Sequence, residues 1–147
     1  MLSETNKTLS RRFFDEVFGK GKLNVLDEII AKDHVNSGPA GTLPGLPTGP
    51  EGAKQLVTVY RNAFPDLHFT IDEQIAEGDK VVTRWTGHGT NKGELLGMPA
   101  TGKSSTVTGL SIDRIVNGKI AESWGIFDQF GMMQQLGVIP TPELAGK

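Results

Sequence analysis

The chain has 147 residues, of which 37% are hydrophobic and 22% charged, with a formal net charge of -2 at pH 7. That length supports one domain, residues 1–147, able to bury roughly two-thirds of its unfolded surface, and the composition excludes a disordered, fibrous or membrane class. Lys and Arg are scattered among a slight excess of acids and cysteine is absent, which argues against a nucleic-acid face and excludes disulfides, thiolate zinc sites and cysteine nucleophiles. Met1 to Lys7 is polar and no apolar run approaches the ~20 residues that span a bilayer, so a cytoplasmic protein is expected.

Leu9, Phe13, Phe14, Val17 and Phe18 recur at intervals of three and four, which predicts an amphipathic helix stopped at Gly19-Lys20-Gly21. Leu23, Leu26, Ile29 and Ile30 predict a second, short helix that breaks before Asp33-His34-Val35-Asn36. Glycine and proline dominate from Ser37 to Pro50, so this stretch reads as a loop of the kind that forms a lid or pocket rim. Pro50 suits the first turn of a third helix, capped by Thr48 or Gly49, with Leu56, Val57, Tyr60 and Phe64 as its buried stripe and Pro65 at its end.

After Pro65 the period changes from 3.6 to 2, with Leu67, Phe69 and Ile71 alternating against His68, Thr70 and Asp72. Glu77-Gly78-Asp79-Lys80 and Val116-Asn117-Gly118-Lys119 are turn signals, and Asn-Gly between alternating runs marks a hairpin. Antiparallel strands are expected near 67–76, 80–90, 104–115 and 119–128, followed by a helical turn over Gln129 to Leu136. Helices followed by a curled antiparallel sheet make an α+β fold with the helices on the concave face. Gly97-Met98-Pro99-Ala100-Thr101-Gly102-Lys103-Ser104 fits the letters of a phosphate-binding loop, but Lys103 to Val107 reads as a strand where that motif needs a helix, so nucleotide binding is only a remote alternative.

Phe64-Pro65-Asp66-Leu67, the stretch Gly93 to Lys103, Arg114 to Ile120 and Gln134-Gln135-Leu136-Gly137 resemble the SnoaL-like polyketide cyclase family of the nuclear-transport-factor-2-like superfamily. The resemblance runs through nearly the whole chain. It implies a cone-shaped, cystatin-like barrel: a curved antiparallel sheet with three N-terminal helices over its concave face, a deep apolar pocket for a small organic molecule, and usually a homodimer through the sheet face. For function it implies cofactor-free intramolecular aldol closure of polyketide esters, the base being an aspartate on the last strand. Ungapped alignment puts that position at Gly125, and a histidine frequent in the family is Asn91 here.

Acid–base chemistry on a carbonyl compound needs a base, a donor for the developing oxyanion and a dry site. Asp128, near the mouth of the last strand beside Trp124 and Phe127, is the first candidate base; it is equally placed to cap the turn starting at Gln129. His34 at the edge of the Gly-Pro loop is the second, since imidazole donates or accepts a proton near pH 7, with Asn36 as an amide donor beside it. Arg84 and His88 share one strand face and Trp85 the other; either face can line the cone, and Glu122 and Trp124 carry the same ambiguity. Tyr60 and Trp85 are expected among the pocket walls, and His68 points away. With three histidines, none paired at ligand spacing, no metal site is expected. The leading expectation is a small-molecule enzyme performing cyclisation, isomerisation or hydration; the alternative is a non-catalytic ligand-binding or dimerisation module.

Overall fold

A computed structural model describes residues 2–38, 43 and 45–142; part of the Gly-Pro stretch, 39–42 and 44, lies outside them. Helix α1 (Leu2–Arg12) runs directly into a wider π-helical turn, Phe13–Phe18. The extra residue in such a turn rotates the side-chain stripe, and here Phe13 meets both Phe14 and Phe18 edge to face, with ring centres 5.6 and 5.2 Å apart.

The second helix is shorter than its apolar spacing predicts, and His34 is not on a loop. A 3-10 turn (Leu23–Val25) and a single α turn, α2 (Leu26–Ile29), lead into a strand, β1 (Ile30–Asn36). Within β1 the buried positions are Ile30 and His34, four apart, because the register against its neighbour shifts between Ile30 and Val35. A bulge of this sort erases the alternation by which a strand is recognised.

Helix α3 (Pro50–Ala63) begins as expected with proline in its first turn. Gly49 before it has φ 79°, and a Cβ there would lie 2.5 Å from the Lys32 carbonyl oxygen, so the crossing of this segment over β1 requires glycine. Four long strands follow: β2 (His68–Glu77), β3 (Lys80–Thr90), β4 (Ser104–Val116) and β5 (Lys119–Phe127), then α4 (Gln129–Gln135). Asn117 and Gly118 both have positive φ, as a two-residue hairpin turn demands. The sheet order is β1-β5-β4-β3-β2, antiparallel except where β1 lies parallel to β5. Gly97 to Lys103 is the loop entering β4, with no helix after it.

The helices lie against the concave side of this sheet. One apolar cluster gathers Val17, Leu26, Ile29, Val57, Val81 and Ile120; another gathers Phe64, Leu95, Val107, Met132 and Leu136, and Tyr60 and Leu67 pack against both. Full burial of each such side chain contributes about 1.5–3 kcal/mol. Among the described residues no helix is long and apolar enough to cross a membrane.

Candidate functional site

Between the two apolar clusters lies a cavity of about 530 Å3. Phe14 and Phe18 from the π-helical turn, Tyr60 from α3 and Phe69, Trp85 and Phe127 from the sheet form its aromatic walls. The rings support one another: Phe18 and Phe69 are 4.9 Å apart between centres, Phe69 and Trp85 5.1 Å, and Tyr60 stands edge to face on Phe127 at 6.1 Å. The Trp85 indole N–H is engaged by Ser111 Oγ at 3.2 Å, which fixes the ring plane.

One wall of this apolar space is polar. Asp113 on β4 and Ser123 on β5 are register partners, and Ser123 is in turn paired with Asn36 of β1, so neighbouring strands carry a row of polar groups across the sheet. His34 Nε2 lies 3.0 Å from Ser123 Oγ. The Ser123 hydroxyl donates to Asp113 Oδ1 at 2.7 Å, and Ser10, buried on α1, donates to Asp113 Oδ2 at 2.7 Å. His34 and Asp113 are each only 6% exposed. His34 lines the cavity, and no described residue bonds to its Nδ1.

Burial sets the protonation of the group. It holds the His34 imidazole below its usual pKa, against the opposing pull of Glu122 and Asp33, so the ring is neutral near pH 7. Burial pushes the Asp113 carboxyl up, while the hydroxyls of Ser10 and Ser123 pull it down. Tyr60 is also raised by burial and stays a protonated donor; its hydroxyl has no hydrogen-bond partner among the described residues.

The sequence-derived candidates divide. His34, Asn36, Tyr60, Trp85, His88 and Trp124 border the cavity, but Arg84, Glu122 and Asp128 do not. Arg84 is on the outer face, its side chain 52% exposed, within 3.8 Å of Asp72 and 3.5 Å of Glu73. His88 shares that outward parity: its ring stacks on His68 at 5.0 Å and accepts or donates to Thr106 Oγ1 at 3.0 Å. Glu122 receives Ser37 Oγ at 2.9 Å and Arg114 Nε at 3.3 Å. Asn36 accepts from Gly38 N–H at 3.2 Å. Asp128 is exposed and caps α4, accepting the Gly131 N–H at 2.9 Å, which is the local role its position also allowed.

Asp113, Ser123 and Ser10 were not singled out from sequence. The signal was available in β4, where Val107, Ser111, Asp113 and Ile115 share one parity, and in α1, where Asn6 and Ser10 sit on the stripe that continues to Phe14. Nothing in the structure requires glycine at 125, whereas Asn91 has a structural role. Gly125 faces the cavity, and a Cβ built on it meets nothing within 4 Å. Asn91 is 2% exposed and ties the β3–β4 connection together, accepting from Thr101 N–H at 2.8 Å and donating to the Gly93 carbonyl at 2.9 Å. Among the described residues no three acidic or histidine side chains converge as a metal ion would need.

Residues 8–136 match the family model described as SnoaL-like polyketide cyclase. The chain is 34% identical over 130 residues to an aklanonic acid methyl ester cyclase of Streptomyces peucetius, covering 87% of this chain and 89% of that one. It is 33% identical over 121 residues to a nogalonic acid methyl ester cyclase of Streptomyces nogalater, covering 82% and 89%. Among solved structures, TsrD from Streptomyces laurentii superposes with a TM-score of 0.83 at 28% identity, covering 92% of this chain and 97% of TsrD. IdmH from Streptomyces antibioticus gives 0.78 at 33% identity, covering 90% and 98%.

Proposed function

The chain belongs to the SnoaL-like polyketide cyclase family, and from that premise we propose that it closes a ring in an aromatic polyketide ester by intramolecular aldol chemistry, with His34 as the base. The observation that carries this reading is a neutral, buried imidazole lining an apolar cavity, anchored through one nitrogen and without a partner among the described residues at the other. The cavity is of a size that holds a small organic molecule. The methyl esters for which the two cyclase relatives are named supply the substrate class.

In the proposed reaction His34 takes a proton from the carbon activated by the ester. The resulting enolate carbon attacks a ketone carbon of the same molecule, one carbon–carbon bond forms, and the ketone oxygen becomes an alkoxide. His34 returns the proton to that alkoxide, so product and substrate are isomers and no cofactor takes part. Tyr60, protonated and without a protein partner, supplies a hydrogen bond to the oxyanion. The aromatic walls exclude water, which strengthens both interactions.

A homodimer through the outer sheet face belongs to the same proposal. Leu110, Ile112, Trp124 and Ile126 are exposed side by side on β4 and β5, an apolar surface of the sort partners cover.

The test is to incubate chelator-treated protein with an aromatic polyketide methyl ester and follow the products by mass and absorbance. A product of unchanged mass with one more ring, formed catalytically, is expected. Saturable binding without turnover would instead favour a non-catalytic binding module, the reading that Gly125 in place of a carboxylate supports.

A further inference from the structure

Resting on the reading of His34 as the base, we propose that Ser123 and Asp113 are positioning residues that hold His34 as its Nε2–H tautomer and thereby make Nδ1 the atom that takes the substrate's proton.

A neutral imidazole carries its proton on one nitrogen and its lone pair on the other, and the hydrogen bond at one nitrogen decides which. At His34 that bond goes from Nε2 to Ser123 Oγ. A hydroxyl has a single proton to give, and the Ser123 proton goes to Asp113 Oδ1. The second carboxylate oxygen is taken by Ser10 Oγ. Both contacts are 2.7 Å, within the range of hydroxyls donating to a charged carboxylate. Ser123 Oγ is left only as an acceptor toward the ring, so Nε2 must carry hydrogen. The lone pair is then on Nδ1, the nitrogen with no partner among the described residues of this cavity-lining ring.

Among the described residues no competing contact assigns the ring differently. Glu122, the nearest acid on β5, is engaged by Ser37 and Arg114, and neither it nor Asp33 is hydrogen-bonded to the imidazole. The three members come from adjacent strands: Asp113 and Ser123 are paired across β4 and β5, and β1 brings His34 alongside. Side chains on paired strands hold geometry better than side chains on loops. The arrangement also suits both states of the base. When Nδ1 gains its proton, Nε2–H still donates to Ser123 and Ser123 still donates to Asp113, so the chain need not reorganise during turnover.

The experiment is long-range proton–nitrogen NMR on the full chain labelled with nitrogen-15 histidine, at neutral pH, alongside steady-state kinetics with an aromatic polyketide methyl ester. His34 in the wild type is expected as a single Nε2–H tautomer. Ser123→Ala is expected to give a tautomer mixture and a kcat lower on the order of tenfold to a hundredfold, with KM within about twofold; Ser123→Thr, which keeps the hydroxyl, restores both. A wild-type Nδ1–H tautomer overturns the proposal, as does a Ser123→Ala protein with wild-type tautomer and kcat. A wild type that holds the Nε2–H tautomer yet turns nothing over refutes His34 as the base while leaving the tautomer assignment in place.

Discussion

The two faces of the β4–β5 pair invert the usual rule for a sheet. The concave side carries Ser111, Asp113, Ser123 and Gly125, with Asp113 fully desolvated, whereas the convex side exposes Leu110, Ile112, Trp124 and Ile126. Sequestering a carboxylate costs folding energy even when it is hydrogen-bonded. Leaving aliphatic and indole surface in water forgoes roughly 25 cal/mol for each Å2 that burial would return. A sheet shaped for stability alone would exchange the two sets. The difference teaches that both faces answer to something outside the chain: in the proposed account the inner face serves a ligand and the outer face a second copy.

The largest effect that would break this comparison is on the outer face. Leu110→Lys combined with Ile112→Lys is expected to weaken self-association by about a hundredfold or more, read as a halved mass by light scattering, while the cavity, which neither residue lines, keeps its ligand affinity. A wild-type protein that is already monomeric contradicts the partner role.

The inner face gives a smaller effect whose sign is set by pH. Burial raises the Asp113 pKa in the folded state, against the downward pull of Ser10 and Ser123, so protonation would add a contribution to stability that the working carboxylate forgoes. That contribution is fully present below the unfolded carboxylate value and is lost as pH rises through the folded value. His34 runs the other way: its folded pKa is lowered, so its contribution is present above the unfolded imidazole value and lost as pH falls through the folded one. Asp113→Asn removes only the first dependence. Its melting temperature relative to wild type should therefore climb as pH rises from below the unfolded carboxylate value to neutrality, and a constant difference across that range would show that Asp113 carries no such penalty.

The smallest effect belongs to Asp128, at the end of the same strand. Asp128→Ala removes a helix cap and should cost about 1 kcal/mol, lowering the melting temperature by about 2–4 °C. An unchanged melting temperature would show that the cap adds nothing.

Much of this architecture was legible before the structure. The bounds of β2 to β5 were recoverable to within a residue or so because period-two alternation and the Asn117-Gly118 turn speak for the same elements. β1 was not, because its register shift spaces Ile30 and His34 like a helix turn. The parity of Arg84 against Trp85 depended on whether a bulge lay in the way; the structure has one in β2, between Ile71 and Glu73, and none in the β3–β4 pairing. For the site, His34 and Tyr60 were readable as titratable residues in plausible places. Asp113, Ser123 and Ser10 were not, since each lies within an element that otherwise reads as core, and a polar residue at a core position gains meaning only when its partner from a distant segment, 103 residues away for Ser10 and Asp113, is known. Asp128 had two readings, and the cap needs only its own backbone three residues on.

The measurement that tests the central claim most directly compares turnover of an aromatic polyketide methyl ester by His34→Gln and Asp128→Asn, each checked for a wild-type melting profile. The account predicts that His34→Gln lowers kcat by about a hundredfold to ten-thousandfold, the range of a lost general base, and that Asp128→Asn stays within about twofold of wild type. Full activity in His34→Gln with loss in Asp128→Asn would contradict it, moving the chemistry out of the cavity's polar wall to the cap of α4.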